Sequence, residues 1–320
     1  MAAAGNRAAA LAPRVQRPAA SRLSRERVRS AWLFLTPMIV VLALVAGWPL
    51  VRTIWFSLTD ANLADLSTAQ FVGLTNFVYL LSDPEWWHAV RNTLVFTAIT
   101  ITLETILGMA VALALHAHFA GRGLLRAAVL IPWAIPTVVS AQMWAWMFND
   151  VFGVINHIGM GLGLLAKPVA WTASPDTAMA AVVIVDVWKT TPFMALLILA
   201  GLQMIPEEIY EATRIDGVHP VRVFFKVTLP LLKPVIVIQA LFQLIDNVYS
   251  YNIVSMMFGQ GAGHPGEWAD LLMPLLTRQS FSYWLFGQGA AVSFVLMALM
   301  LAAVALWLRA FRGSLVGEHV

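Results

Sequence analysis

Six stretches of mostly apolar residues, at about 31–58, 91–117, 124–148, 177–203, 229–256 and 285–309, dominate this 320-residue chain. A helix that crosses the hydrocarbon layer of a bilayer needs roughly 20 such residues, and each stretch is long enough. Lipid offers no hydrogen bonds to a backbone, so segments of this kind must satisfy their own N–H and C=O groups as helices. The chain is therefore expected to be an all-α membrane protein with six transmembrane helices. Only 12% of its residues are charged while 60% are hydrophobic, more apolar surface than a soluble core can hide. With no cysteine, disulfides and thiolate metal sites are excluded.

The charges set the orientation. Before the first stretch, Met1 to Ser30 carries seven arginines against the single acid Glu26, among Ala and Pro, and reads as a disordered cytoplasmic tail (1–30) ahead of a membrane domain (31–313) and a short C-terminal tail (314–320). The first stretch is about twice as long as a signal-peptide core, so an uncleaved anchor is expected. If the N-terminus is inside, six crossings return the C-terminus inside. Arg122, Arg126, Arg214, Arg222, Lys226, Lys233, Arg309 and Arg312 then all fall on the cytoplasmic side, and the opposite loops are mainly acidic. The net charge of +3 is thus explained by topology rather than by nucleic-acid binding. A multi-pass protein of a bacterial or archaeal plasma (inner) membrane is expected. In the first outer loop, Phe71 to Leu81 reads as an interfacial helix.

One segment is too polar for its surroundings. From a loop at 204–228 into the start of the fifth stretch, "YEATRIDGVHPVRVFFKVTLPLLKP" places Glu211, Arg214, Asp216, His219, Arg222, Lys226 and Lys233 within 25 residues, framed by prolines. Pro206 suits a helix start, Glu207 and Glu208 favour the positive helix N-terminus, and Gly217 suits the turn that ends it. Pro220 starts a second short helix that runs into Pro230. Ile205, Ile209, Ala212 and Ile215 share one face of the first helix, a ridge with charged flanks.

The spacing Glu211-Ala212, Ile215-Asp216-Gly217, Phe224 or Phe225, Leu229-Pro230 and Pro234 resembles the EAA loop of ATP-binding-cassette (ABC) importer permeases, in particular the binding-protein-dependent carbohydrate importers. "LTPMIVVLALVAGWPLVRTIWFSL", "FVGLTNF" and "VDVWKTTPFMALLILAGLQMIPEEIYEA" resemble the same family, so the likeness covers nearly all of the chain after the tail. Thr213, Val218 and the outer segment "FGQGAGHPGEW" depart from it. The resemblance implies a permease subunit whose loop docks on a partner ATPase. Glu208 and Glu211 would carry its polar contacts, Ala212 and Ile215 its wedge, Asp216 and Gly217 its turn, and Leu229 and Pro230 the return into the membrane. It also implies a second homologous permease, a dimeric ATP-binding-cassette ATPase and an extracytoplasmic sugar-binding protein. The chain contains no G-x-x-x-x-G-K-[ST] motif, so ATP and Mg are expected on the partner ATPase, with no cofactor and no enzymatic site here. The cargo is expected to be a disaccharide or oligosaccharide such as maltose or trehalose. The alternatives are glycerol phosphate or another polyol, or a secondary transporter, which would normally show repeated halves.

Polar residues inside membrane spans are costly, so they are candidates for function. In the fifth stretch Gln239, Gln243, Asp246, Asn247, Tyr249, Tyr251 and Asn252 combine amides, an acid and aromatic faces suited to carbohydrate, with Gln142, Trp144 and Asn149 of the third stretch as further candidates. The competing assignment for all of them is polar glue between helices. Asp186 and Lys189, three apart on one helix, are expected to neutralise each other.

Overall fold

The computed structural model describes residues 22–259 and 266–313, with side chains from residue 27 onward. Most of the Arg-rich tail, residues 260–265 of the 257–284 loop and residues 314–320 lie outside the described residues. Residues 22–30, assigned from composition to the disordered tail, begin the first helix instead.

The chain divides into two compact units, Met1–Arg52 and Thr53–Val320. In the first, helix α1 (Arg22–Leu42) passes through a π-helical turn (Ala43–Gly47) into α2 (Trp48–Ser57), which runs on into the second unit. Trp32, Leu33 and Phe34 are exposed, as suits a helix solvated by lipid.

The second unit is built around α4 (Pro84–His116) and α9 (Ala178–Gln203). Met109, Ala112 and Leu115 of α4 interlock with Met194, Ile198, Leu199 and Leu202 of α9. Gly108 makes that approach possible, since a Cβ there would lie 2.5 Å from the Met194 Cγ. Around the pair are α5 (Arg122–Val129), α6 (Ile131–Ala134), α7 (Thr137–Met147), α8 (Val154–Gly161), α10 (Glu207–Ile215), α11 (Pro220–Val223), α12 (Leu229–Val248), α13 (Asn252–Met257), α14 (Leu272–Thr277) and α15 (Phe286–Ala310). Phe96, Ala141, Val182, Val185, Val254 and Leu271 form a second core where α4, α7, α9 and α13 meet.

Four helices among the described residues are long and apolar enough to cross a membrane: Arg27–Ser57, α4, α9 and α15. The third apolar stretch is not straight, because α5–α6 and α7 meet at 87°. Pro136 pushes Ile135 into an extended conformation and so ends α6. The fifth stretch is also interrupted: α12 stops at Val248, and α13 begins at Asn252 after a non-helical Tyr249–Tyr251. Six uninterrupted helices, as hydropathy alone suggests, are therefore not what forms.

A cap over one end of the second unit is held by Asn76 on α3 (Thr75–Ser82), a helix displaced slightly from the predicted Phe71–Leu81 because Phe71 instead bridges to Thr59. The Asn76 amide donates to the carbonyls of Ser57 at 2.9 Å and Thr59 at 2.7 Å. Gly287, in the first turn of α15, donates its N–H to the Ala61 carbonyl at 2.9 Å. A Cβ there would meet the Thr59 carbonyl oxygen at 2.2 Å. Gly287→Ala is expected to cost about 1–3 kcal/mol through this backbone clash. Thermal unfolding of the detergent-solubilised protein should show it as a lowered midpoint. Gly123→Ala, in a helix with nothing within 4 Å of the added methyl, should not lower it. Nearby, Arg278 is bound to Asp270 at 2.6 Å and lies 3.5 Å from Glu85. Burial alone would lower the Arg278 pKa, but the hydrogen bond and charge of Asp270 outweigh it and hold the guanidinium above its ordinary value.

Candidate functional site

Two features separate from the helical core: an exposed helical hairpin after α9, and a polar cavity at the two helix breaks.

The hairpin follows its local chemistry closely. Pro206 caps α10, and Glu207 and Glu208 occupy the first turn. At the other end Gly217 has φ +65°, a conformation glycine adopts without steric cost. Its N–H donates to the Arg214 carbonyl at 3.1 Å, and the Val218 N–H reaches back to Thr213 at 3.0 Å. Those two bonds are the Schellman pattern, with Gly217 one residue past the cap. The His219 Nδ1 then accepts from the Val221 N–H at 3.3 Å and starts α11.

The second helix differs from expectation, for it does not end at Pro230. It passes through a π-helical turn (Phe224–Thr228) directly into α12, so Pro230 lies inside a continuous run of helical backbone just after that turn, where its ring and missing N–H interrupt the regular ladder. The Tyr210 hydroxyl lies 3.3 Å from the Thr228 hydroxyl and ties α10 to that turn.

Packing divides the faces of α10. Ile209, Tyr210 and Thr213 are half-buried, whereas Glu208, Glu211, Ala212, Asp216 and Gly217 are exposed. Ile215 stands 86% exposed at the tip. The ridge read from the sequence is thus split, with Ile205 and Ile209 packed inward and Ala212 and Ile215 presented outward. Leu229 is half-buried and Pro230 exposed, at the base of the hairpin. Beneath it a groove of about 1080 Å³ opens between the ends of α4 and α9 and the inner side of α10 and α11, lined by His116, Leu202, Tyr210, Arg214 and Phe224 among others.

The cavity, about 440 Å³, lies where the breaks at Ile135 and at Tyr249–Tyr251 face each other. Non-helical backbone inside apolar stretches is tolerated where it lines such a space, since water there hydrates the freed groups. Asp246, Tyr249, Tyr251 and Asn252 all line it, together with Trp133, Asp186, Lys189 and Thr190. Trp133 is held by stacking on Phe193, with ring centroids 5.2 Å apart.

The other polar residues of the fifth stretch face elsewhere. Glu104 of α4 accepts through Oε1 from the Thr190 hydroxyl of α9 and from the Gln243 amide of α12, the latter at 3.1 Å. That amide also reaches Asn247 at 3.3 Å, whose own amide donates to Thr100 at 2.6 Å. Gln243 and Asn247 therefore serve as glue among three helices, and Gln239 is likewise buried. In the third stretch, Trp144 packs into the core against Phe148 and Trp188. Asn149 caps the next turn by accepting from Val151 and Phe152, while Gln142 is half-buried. None of these three lines the cavity.

Lys189 corrects another expectation. It does not pair with Asp186: its ammonium donates to the carbonyls of Pro132 at 3.2 Å, Trp133 at 3.1 Å and Ile135. The end of α6 leaves these carbonyls without intrahelical partners, and they form the negative end of the helix, a good site for a cation. Asp186 is 2% exposed; its carboxyl shares a side-chain hydrogen bond with that of Glu104 on α4 and lies within electrostatic reach of Asp246. The sequence marks Lys189 and Asp186 as polar intruders, but nothing local reveals that their partners lie on other helices.

Comparison with known proteins places these features. The chain is 38% identical to the trehalose/maltose transport system permease protein MalF of Thermococcus litoralis, over 91% of this chain and 97% of that one. It is 36% identical to the sulfoquinovosyl glycerol transport system permease protein SmoG of Agrobacterium fabrum, over 88% of this chain and 90% of that one. Its fold matches a chain in the crystal structure of a bacterial alginate ABC transporter in complex with an alginate pentasaccharide-bound periplasmic protein, with a TM-score of 0.74 and 18% identity, covering 92% of this chain and 99% of that one. Residues 104–314, which include the hairpin, the cavity and all of the three-helix network except Thr100, match the family model described as "Binding-protein-dependent transport system inner membrane component". The chain belongs to that family, as a multi-pass permease subunit of ABC importer fold.

Proposed function

We propose that this chain is one of two permease subunits of an ATP-driven, binding-protein-dependent importer for a disaccharide or oligosaccharide such as maltose or trehalose. Six crossings leave both termini cytoplasmic, with the bent α5–α7 and the interrupted α12–α13 counted as one crossing each. Arg122, Arg126, Arg214, Arg222 and Arg309 then share the cytoplasmic side with the α10–α11 hairpin. A dimeric ATPase, which binds ATP and Mg, receives the hairpin. A second, homologous permease completes the path, and an extracytoplasmic binding protein delivers the sugar.

The hairpin carries the proposal. Its outward face offers the apolar tip Ile215 beside Glu211 and Asp216, and a well-formed turn fixes the shape of that face. A preformed, partly apolar ridge suits a soluble partner, because little ordering entropy is lost on docking. The sugar assignment is supported by the 38% and 36% identical relatives and by a cavity that joins hydroxyl-bearing and acidic groups to aromatic rings.

The test is sugar uptake and binding-protein-stimulated ATP hydrolysis in proteoliposomes containing the full complex. Glu211→Ala is expected to lower stimulated hydrolysis by about tenfold or more, as loss of a charged interface contact commonly does. Recovery of the assembled permease pair should not change. A parent complex that hydrolyses ATP yet accumulates neither maltose nor trehalose would overturn the sugar assignment, and a Glu211→Ala complex as active as the parent would remove Glu211 from the interface.

A further inference from the structure

Glu104 on α4 and Asp186 on α9 are 0% and 2% exposed, and their carboxyls share a hydrogen bond between the two helices at the centre of the second unit. Donors reach Glu104 at one oxygen, Oε1, which accepts from the Thr190 hydroxyl and the Gln243 amide. No amide, hydroxyl or ammonium reaches Glu104 Oε2 or Asp186 Oδ2, although both are buried. Lys189, on the same helix as Asp186, is committed to the carbonyls of Pro132, Trp133 and Ile135. An ionised carboxylate is only an acceptor, so two of them have nothing to share. A proton on either carboxyl makes it a donor to the other and serves both groups at once.

From these contacts we infer that Glu104 and Asp186 form a proton-binding site, and that the proton they share ties α4 to α9 and fixes Asp186 in the wall of the cavity. This site goes beyond the transport reading and is independent of which sugar is carried. A metal ion is the other ligand that two carboxyls can share, but among the described residues no group of three or more His, Cys, Asp or Glu is placed to hold one. The neighbouring groups do not replace the proton. Asp246 of α12 lies within electrostatic reach of both acids and adds a third acid rather than a base. Lys233, the one cation of α12, is near the start of that helix, away from Gln243. Tyr249 and Tyr251 line the cavity with Asp186, and α6, α7 and α13 carry no titratable side chain. Without the proton, two like charges would meet in a buried contact, and the helices or the Asp186 side chain would have to part. The folded chain then holds a proton that the unfolded chain releases at neutral pH. The tie therefore contributes fully at acidic pH and progressively less as the pH rises, until the folded chain also gives the proton up.

The test uses the complete complex purified in detergent, as parent, Glu104→Gln, Asp186→Asn and Asp246→Asn. An amide keeps the shape of a carboxyl and carries its own N–H donor, so the first two variants keep the tie without needing a shared proton. Infrared spectra are recorded at a pH of about 8, where solvent-exposed acids are ionised. The parent is expected to show the C=O stretch of a protonated carboxylic acid, displaced or removed in both Glu104→Gln and Asp186→Asn and retained in Asp246→Asn. Thermal unfolding is then followed from a pH of about 7 to about 9.5. The midpoint of the parent should fall by at least about 3 °C more than that of either amide variant. A parent without the band, or a band that is the same in both amide variants, would overturn the shared proton. Equal falls of the midpoint in the parent and both variants would overturn its role as a tie between α4 and α9.

Discussion

A Gly217→Pro variant is expected to insert and assemble with its partner permease but to lose at least tenfold in binding-protein-stimulated ATP hydrolysis, because the exposed end of α10 no longer forms. Gly217 sits at φ +65°, whereas proline is confined near −65°. The substitution also deletes the N–H that donates to the Arg214 carbonyl, and it displaces Val218 from its bond to Thr213. Together these cost about 3 kcal/mol or more, concentrated in the last turn of the helix. Glu211, Ile215 and Asp216 are exposed there, with few tertiary contacts to hold them once the turn is lost. The damage should stay local, since α10 is anchored from its other side by Ile209 and Tyr210. Gly217→Asn is the informative partner variant, because asparagine tolerates the left-handed region best after glycine. It should keep most of the activity. Co-purification of the ATPase and stimulated turnover are the two measurements. If Gly217→Pro matches the parent in both, the Schellman turn is not part of the coupling surface.

Local chemistry made that hairpin legible in the sequence. Pro206, the acids after it and Gly217 each act within a few residues, so position and type together specify a helix and its end. The break in the third stretch was less visible. Pro132 and Pro136 are present, but the residues around them are apolar enough to read as one continuous span. No proline or glycine marks the break at Tyr249–Tyr251, and its one trace in the sequence is the cluster Asp246, Asn247, Ser250 and Asn252. Period and hydropathy do not separate a polar side chain that meets another helix from one that meets a cavity. Gln243 and Asp246 are neighbours in sequence, yet Gln243 binds Glu104, 139 positions away, and Asp246 lines the cavity. The same is true of Asp186 and Lys189. An i, i+3 spacing allows a local pair, but three carbonyls freed by a distant proline compete for the ammonium and win.

That competition gives the second large prediction. Lys189→Met keeps the length and apolar stem of the side chain and removes its three donors, so the carbonyls of Pro132, Trp133 and Ile135 lose a charged partner at once. Hydrogen bonds to a charged group contribute about 1.5–3 kcal/mol each, and with partial rescue by water in the cavity the net loss should be about 3 kcal/mol. Most of it falls on the 87° bend between α6 and α7, whose geometry leaves those carbonyls free in the first place. Two readouts separate loss of the clamp from general misfolding. The detergent-solubilised complex should unfold several degrees lower, at about 2–4 °C per kcal/mol for a chain of this size class. The chain has no cysteine, so a single Thr137→Cys at the start of α7 reports the bend alone, and its labelling by a water-soluble maleimide should rise in the Lys189→Met background. Lys189→Arg should fall between parent and Met, since a guanidinium retains charge and donors but spreads them in a flat fork that does not converge on three carbonyls as an ammonium does. Unchanged stability and unchanged labelling in Lys189→Met would mean that cavity water alone satisfies the end of α6. The commitment of Lys189 to the bend would then no longer stand.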